Sequence, residues 1–196
     1  MLFIYALGDS SGAHFNPLIS FATYTTYMTS FPRFFIYAIA QIAGMLSASY
    51  LTLIALNITS SQITTPLQIE GMSWGGIPTS SAFVIEFLSS FFLLIVAYGT
   101  AFDPNNGKSY GQLLPPLFIG IALFFVIFGT GRLFPKCSGA GVNPARALGP
   151  AIASGIMDMV WIYVVGPFSA AAVHAFVYNL LPPKFYEKSL QKKKVE

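Results

Sequence analysis

The chain has 196 residues, of which 55% are hydrophobic and only 9% charged, against roughly 25% charged in an ordinary soluble domain. That composition excludes a disordered or nucleic-acid-binding chain, and it leaves too few charges to coat a soluble globule. The net charge of +3 is concentrated in Lys184, Lys188, Lys192, Lys193 and Lys194, which are half of the ten basic residues. An apolar chain ending in such a run reads as one integral membrane domain, 1–196, with a basic cytoplasmic tail at 182–196.

In chain order, the apolar stretch 1–7 is too short to cross a bilayer, and it lacks the basic start and cleavage site of a signal peptide. It reads as the end of a span whose beginning is absent. Four later stretches are long and apolar enough to cross: 34–56, 82–102, 113–128 and 160–181, the last stopped by Pro182 and Pro183. Between the first two lies a polar loop, 57–80, without Lys or Arg; Arg33 and Lys108 fall on the other side. With the Lys-rich end inside, this loop is extracellular, which agrees with the glycosylation sequon Asn57-Ile58-Thr59 at its start. Two His and a single Cys, Cys137, exclude a disulfide framework, leave Cys137 without a redox partner and offer little for a metal site.

The septet Ser11-Gly12-Ala13-His14-Phe15-Asn16-Pro17 recurs as Ser138-Gly139-Ala140-Gly141-Val142-Asn143-Pro144, five of seven residues identical and 127 positions apart. The echo continues: Ile36-Tyr37 follows the first copy, and Ile162-Tyr163 follows the second at nearly the same distance. Three crossings separate the copies, an odd number, so they enter the membrane from opposite faces as an inverted repeat. The residues 1–56 are then what remains of the first repeat and 81–181 the second, the first span and most of the second being absent.

Asn is a favoured N-cap and Pro is favoured at the first helical position, so each Asn-Pro opens a short helix. The apolar runs that follow, beginning Leu18 and Ala145, are too short to span. Two such half-helices entering from opposite faces meet near the midplane with their N-termini opposed. Each N-terminus carries about half a positive charge, and a facing pair repels cations and protons. The amides of Asn16 and Asn143 can donate to a water oxygen between them. The carbonyls of Gly12, Ala13, His14 and Phe15, and of Gly139, Ala140, Gly141 and Val142, form acceptor ladders leading to that point. The arrangement suits passive passage of water or small neutral solutes.

The two septets, with Gly141-Val142-Asn143-Pro144-Ala145-Arg146-Ala147-Leu148-Gly149-Pro150 and Trp161-Ile162-Tyr163-Val164-Val165-Gly166-Pro167, resemble the signature segments of the aquaporin (major intrinsic protein) family. Asn16-Pro17-Leu18 and the insertion before the second motif resemble fungal members of the X-intrinsic type. The resemblance implies an all-α, inverted-repeat membrane bundle with two re-entrant half-helices, assembled as a homotetramer, with no cofactor and no enzymatic activity. It implies a selectivity filter of Arg146, Ala140 and a residue near Ile127 or Gly131, the fourth position being absent. An apolar filter of this kind favours glycerol or peroxide along with water, whereas Ala147 stands where glycerol-selective members carry Asp. It further implies that Glu86, the only carboxylate deep in a span, braces the re-entrant loops. His14 reads as a loop-packing residue, and Gln41 and His174 as makers of helix–helix hydrogen bonds. The alternatives to a channel are a non-conducting truncated product and a membrane-embedded enzyme; Glu86, His14 and His174 show no catalytic spacing that favours the latter.

Overall fold

The computed structural model describes residues 1–60, 77–103, 110–133 and 138–180. The middle of the 57–80 loop, Cys137 and the Lys-rich tail lie outside the described residues. Among those described, regular structure is entirely helical. It comprises α1 (Leu2–Ser11), α2 (Pro17–Thr25), α3 (Phe31–Leu56), α4 (Thr79–Ala97), α5 (Leu114–Phe128), α6 (Pro144–Ser154) and α7 (Ile162–Leu180). Helices α3, α4, α5 and α7, the second and third with short extensions, are long and apolar enough to cross a membrane. The stretch 1–7 belongs to the ten-residue α1, which buries none of its residues and touches α5.

One span, expected to end at 128, runs on to Gly131, and another reaches its expected end at 102 by a different kind of turn. Beyond α4 and α5 the chain continues as single wide π-helical turns, Tyr98–Phe102 and Gly129–Leu133. Each holds a Gly-Thr pair. The Thr100 hydroxyl donates to the Val96 carbonyl at 2.7 Å, and the Thr130 hydroxyl to the Val126 carbonyl at 2.8 Å. A hydroxyl bonded four residues back competes with the backbone ladder and loosens it, and an adjacent glycine imposes no rotamer that resists. The span ending at Phe102 is therefore a composite of α and π turns, and the helical run from Leu114 passes 128.

The half-helices have nine and eleven residues, about 14 and 17 Å long. Together they match a hydrocarbon core of about 30 Å. Pro150 lies inside α6 without ending it. Each half-helix packs more extensively on the span of the other repeat than on its own: α2 on α7 more than on α3, and α6 on α3 more than on α7. The repeats are thus interlocked.

Lipid tails give helices no hydrophobic reason to associate, so close packing of small residues must do it. Helices α4 and α7 pack closely, and small residues are prominent among those they bury: Ala82, Ser90 and Ala97 on α4 and Gly166, Ala170, Ala171 and Ala175 on α7. At the α3–α6 crossing a Cβ on Gly149 would lie 2.7 Å from the Met45 carbonyl carbon, so only glycine permits that approach. The outward faces carry large apolar side chains, among them Phe35, Ile39, Leu51 and Ile54 on α3 and Phe176 on α7, as a lipid-facing surface requires.

Candidate functional site

Each Asn-Pro unit starts its helix as its residue types dictate. Asn16 is extended (φ −154°), and its side-chain oxygen accepts from the Leu18 N–H at 2.9 Å. Asn143 is likewise extended (φ −147°) and accepts from the N–H groups of Ala145 at 3.1 Å and Arg146 at 3.4 Å. Proline follows at the first helical position in both.

The loops leading into these caps repeat the same backbone path. Gly12 and Gly139 sit at φ 77° and 76°, Ala13 and Ala140 at 45° and 54°, and Phe15 and Val142 at 50° and 36°. Glycine adopts such angles freely. For a β-branched residue such as Val142 they are strained, and strain persists only where the surroundings over-determine the conformation.

The amide groups of the two asparagines tie the units together. Asn16 Nδ2 donates to the Val142 carbonyl at 2.8 Å, and Asn143 Nδ2 donates to the Phe15 carbonyl at 3.2 Å. Each asparagine thus grips the residue immediately before the other, and the two helix N-termini stand head to head. This revises one detail of the sequence reading. One amide proton of each asparagine braces the opposite loop, which leaves its second for any solute. The carbonyls of Phe15 and Val142 are likewise engaged, each with one lone pair remaining.

The second loop is held at further points. Glu86 is fully buried on α4. Its Oε1 accepts from the Gly141 N–H at 2.9 Å and its Oε2 from the Val142 N–H at 3.0 Å. These two bonds tie the middle of the second loop to α4. A Cβ on Gly141 would come within 2.8 Å of that carboxylate, so glycine is required there. Arg146 turns back over the loop, and its Nη1 donates to the Ala140 carbonyl at 2.6 Å. Ala140 has no exposed surface, so it acts as the seat of Arg146. Leu18 and Ala145 are 0% and 1% exposed, so both pack the interior.

Ile127 is 40% exposed. Its neighbour Val126, not Ile127, belongs to the buried cluster with Ala140 and Val142. The Thr130 carbonyl accepts from the Gly139 N–H at 3.3 Å, and a Cβ on Gly131 would lie 3.9 Å from Gly139 Cα.

The first loop is held otherwise. His14 packs within it as expected: Nδ1 is 3.2 Å from Ser20 Oγ, and the ring meets Tyr37 and Phe102 edge-on at 5.6 and 5.8 Å. Gln41 Nε2 donates to Ser20 Oγ at 3.1 Å, the helix–helix bond anticipated for it. His174 departs from expectation. Its Nδ1 is buried without a hydrogen-bond partner, and its ring lies among Tyr98, Phe91 and Tyr178 at centroid distances of 4.3 to 6.0 Å. Aromatic neighbours fill the space in which a partner would stand. Beneath the first loop opens a cavity of about 280 Å³, lined by Asp9, Ser11, His14, Arg33, Tyr37 and Phe102 among others.

The family model of the major intrinsic protein matches residues 1–178. The chain belongs to the major intrinsic protein family. Among curated relatives it is 35% identical to the probable aquaporin NIP4-2 of Arabidopsis thaliana and 34% identical to the aquaporin NIP1-1 of Zea mays, each over 97% of this chain. It is 31% identical to nodulin-26 of Glycine max over 91% of its length. The chain spans 62% of the length of the first two relatives and 60% of the third. These relatives are plant proteins, so the fungal X-intrinsic subtype draws no support from them. The fold is that of the X-ray structure of the aquaglyceroporin from Plasmodium falciparum, with a TM-score of 0.70 at 22% identity, covering 89% of this chain and 74% of that one. Family membership and the four apolar helices make this an integral, multi-pass membrane protein.

Proposed function

We propose that the chain forms a passive conduit for water and small neutral solutes such as glycerol, excludes protons and ions, and works as a homotetramer. The observation that carries this reading is the reciprocal pair of bonds from Asn16 Nδ2 to the Val142 carbonyl and from Asn143 Nδ2 to the Phe15 carbonyl. Those bonds put two helix N-termini, each worth about half a positive charge, at one point and leave one amide proton on each asparagine for a passing oxygen. A water held by both would have both of its lone pairs occupied, so it could donate to its neighbours but not accept from them, which interrupts a proton wire. Arg146, seated on the Ala140 carbonyl, supplies a fixed positive charge and donors at the outer constriction. The relatives' names, aquaporins of the NIP type, support the same solute class. The C-terminal tail lies on the cytoplasmic side under this reading.

A second reading is a non-conducting chain. It is favoured by Gly12 and Phe15, which are exposed in the first loop, because irregular backbone at membrane depth must be wetted or covered by protein. Stopped-flow osmotic shrinkage of proteoliposomes separates the two. The channel reading expects shrinkage well above that of empty vesicles, a measurable glycerol flux, and no dissipation of an imposed proton gradient. Shrinkage equal to empty vesicles would establish the non-conducting reading for this chain. Arg146→Ala is expected to raise cation and larger-solute leakage while water flux persists; an unchanged profile would remove Arg146 from the filter.

A further inference from the structure

The Ile-Tyr echo of the two repeats has a structural counterpart at the mouth of each loop. The Tyr37 hydroxyl donates to the Ser11 carbonyl at 2.8 Å, and the Tyr163 hydroxyl donates to the Ser138 carbonyl at 3.1 Å. Ser11 and Ser138 open the two septets, so each tyrosine grips the first residue of its own repeat's loop. The rings act as well. Tyr37 stands edge-on to His14. In the second repeat position 141 is glycine, and a Cβ there would lie 2.4 Å from Tyr163 Cδ1, so the tyrosine ring occupies the space a side chain would take. Tyr163 also packs on Ala147, the residue after Arg146. It therefore touches the start of the loop, its middle and the half-helix beyond it.

We propose that Tyr37 and Tyr163 are a matched pair of positioning residues that set where each loop runs relative to its half-helix, and that Tyr163 thereby fixes the bore at Arg146. The two are unequal. Ser138 is 0% exposed and Tyr163 1%, so removing the Tyr163 hydroxyl strands a buried carbonyl that no water can reach. Ser11 and the Tyr37 bond are exposed, so water can replace the Tyr37 hydroxyl at little cost. Because Arg146 is anchored to the Ala140 carbonyl within the same loop, a shift of that loop carries the guanidinium with it. The link to the bore rests on the channel reading; the link to loop position does not.

Tyr→Phe keeps both rings and removes only the hydroxyls. Amide hydrogen exchange on the whole chain in proteoliposomes tests the first link. Tyr163→Phe is expected to speed exchange across residues 138–147 on the order of tenfold, leaving the α2 and α4 segments unchanged. Tyr37→Phe is expected to change residues 11–16 by no more than about threefold. Unchanged exchange at 138–147, or a uniform rise across all spans, would overturn the proposal, the second by showing a merely structural role. Equal effects of the two variants would overturn the asymmetry. In the same vesicles the ratio of glycerol to water flux is expected to rise severalfold in Tyr163→Phe. A local exchange change with an unaltered ratio would overturn the claim about the bore. Failure of the unmodified chain to conduct would overturn the channel reading and leave the exchange result standing.

Discussion

Val142 holds a backbone angle of 36°, a conformation that β-branched residues avoid, and three contacts keep it there. Its N–H is taken by Glu86, its carbonyl by Asn16, and its side chain packs with Ala140 and Val126. Strain of this type costs about 1–3 kcal/mol, and the Glu86 carboxylate, which accepts two amides at once, is a principal restraint. Glu86→Gln retains one acceptor oxygen and turns an NH₂ toward the other amide. The expected loss is about 1–3 kcal/mol, read as a fall in the thermal midpoint in detergent of roughly 2–4 °C per kcal/mol. An unchanged midpoint would show that the carboxylate does not hold the loop. Glu86 was legible as a functional residue because an isolated carboxylate in an apolar span has few other uses. Its choice of Gly141 and Val142 was not, since the partners lie 55 and 56 residues away.

At the scale of the element, the half-helices are the most legible part of the chain. Asn followed by Pro fixes the start of each through local chemistry alone, and both helices begin at the proline. The asparagines' other bonds depend on which loops the fold brings together, and no local pattern encodes that. They are also unequal. Val142, gripped by Asn16, is 2% exposed, whereas Phe15, gripped by Asn143, is 47% exposed. Both substitutions to alanine lose a cap, worth about 0.5–2 kcal/mol. Only Asn16→Ala also strands a buried carbonyl, adding about 1–3 kcal/mol. Asn16→Ala is therefore expected to lower the unfolding midpoint more than Asn143→Ala; the reverse order would contradict the head-to-head geometry. The π turns after α4 and α5 escaped notice because Gly and Thr in a long apolar run are unremarkable in composition. Their effect comes from hydroxyl back-bonding that only coordinates reveal.

For the molecule as a whole, counting crossings between the two septets was enough to infer an inverted repeat. What the count does not reveal is the exchange of partners, with each half-helix packed chiefly on the other repeat's span. That exchange depends on small residues where backbones cross. Gly149→Ala would put a methyl 2.7 Å from the Met45 carbonyl carbon, where backbone rather than a flexible side chain must yield. Forcing α3 from α6 is expected to cost about 1–3 kcal/mol or more, seen as loss of monodisperse protein in detergent, while Gly44→Ala, with nothing within 4 Å of its Cβ, is expected to be tolerated. Equal behaviour of the two variants would refute the interlocked packing. His174 shows where type and position mislead: a polar ring in a span reads as a hydrogen-bonding residue, yet its neighbours are aromatic faces.

All of these readings meet where the two asparagines reach across to each other's loops. Solid-state NMR on chain reconstituted in lipid, with ¹⁵N-asparagine and valine ¹³C-labelled at the carbonyl, measures that contact directly. The account expects magnetisation transfer between the Asn16 side-chain nitrogen and the Val142 carbonyl carbon, abolished by Asn16→Ala. Absence of that transfer in a sample that still shows the directly bonded Val142–Asn143 signal would contradict it.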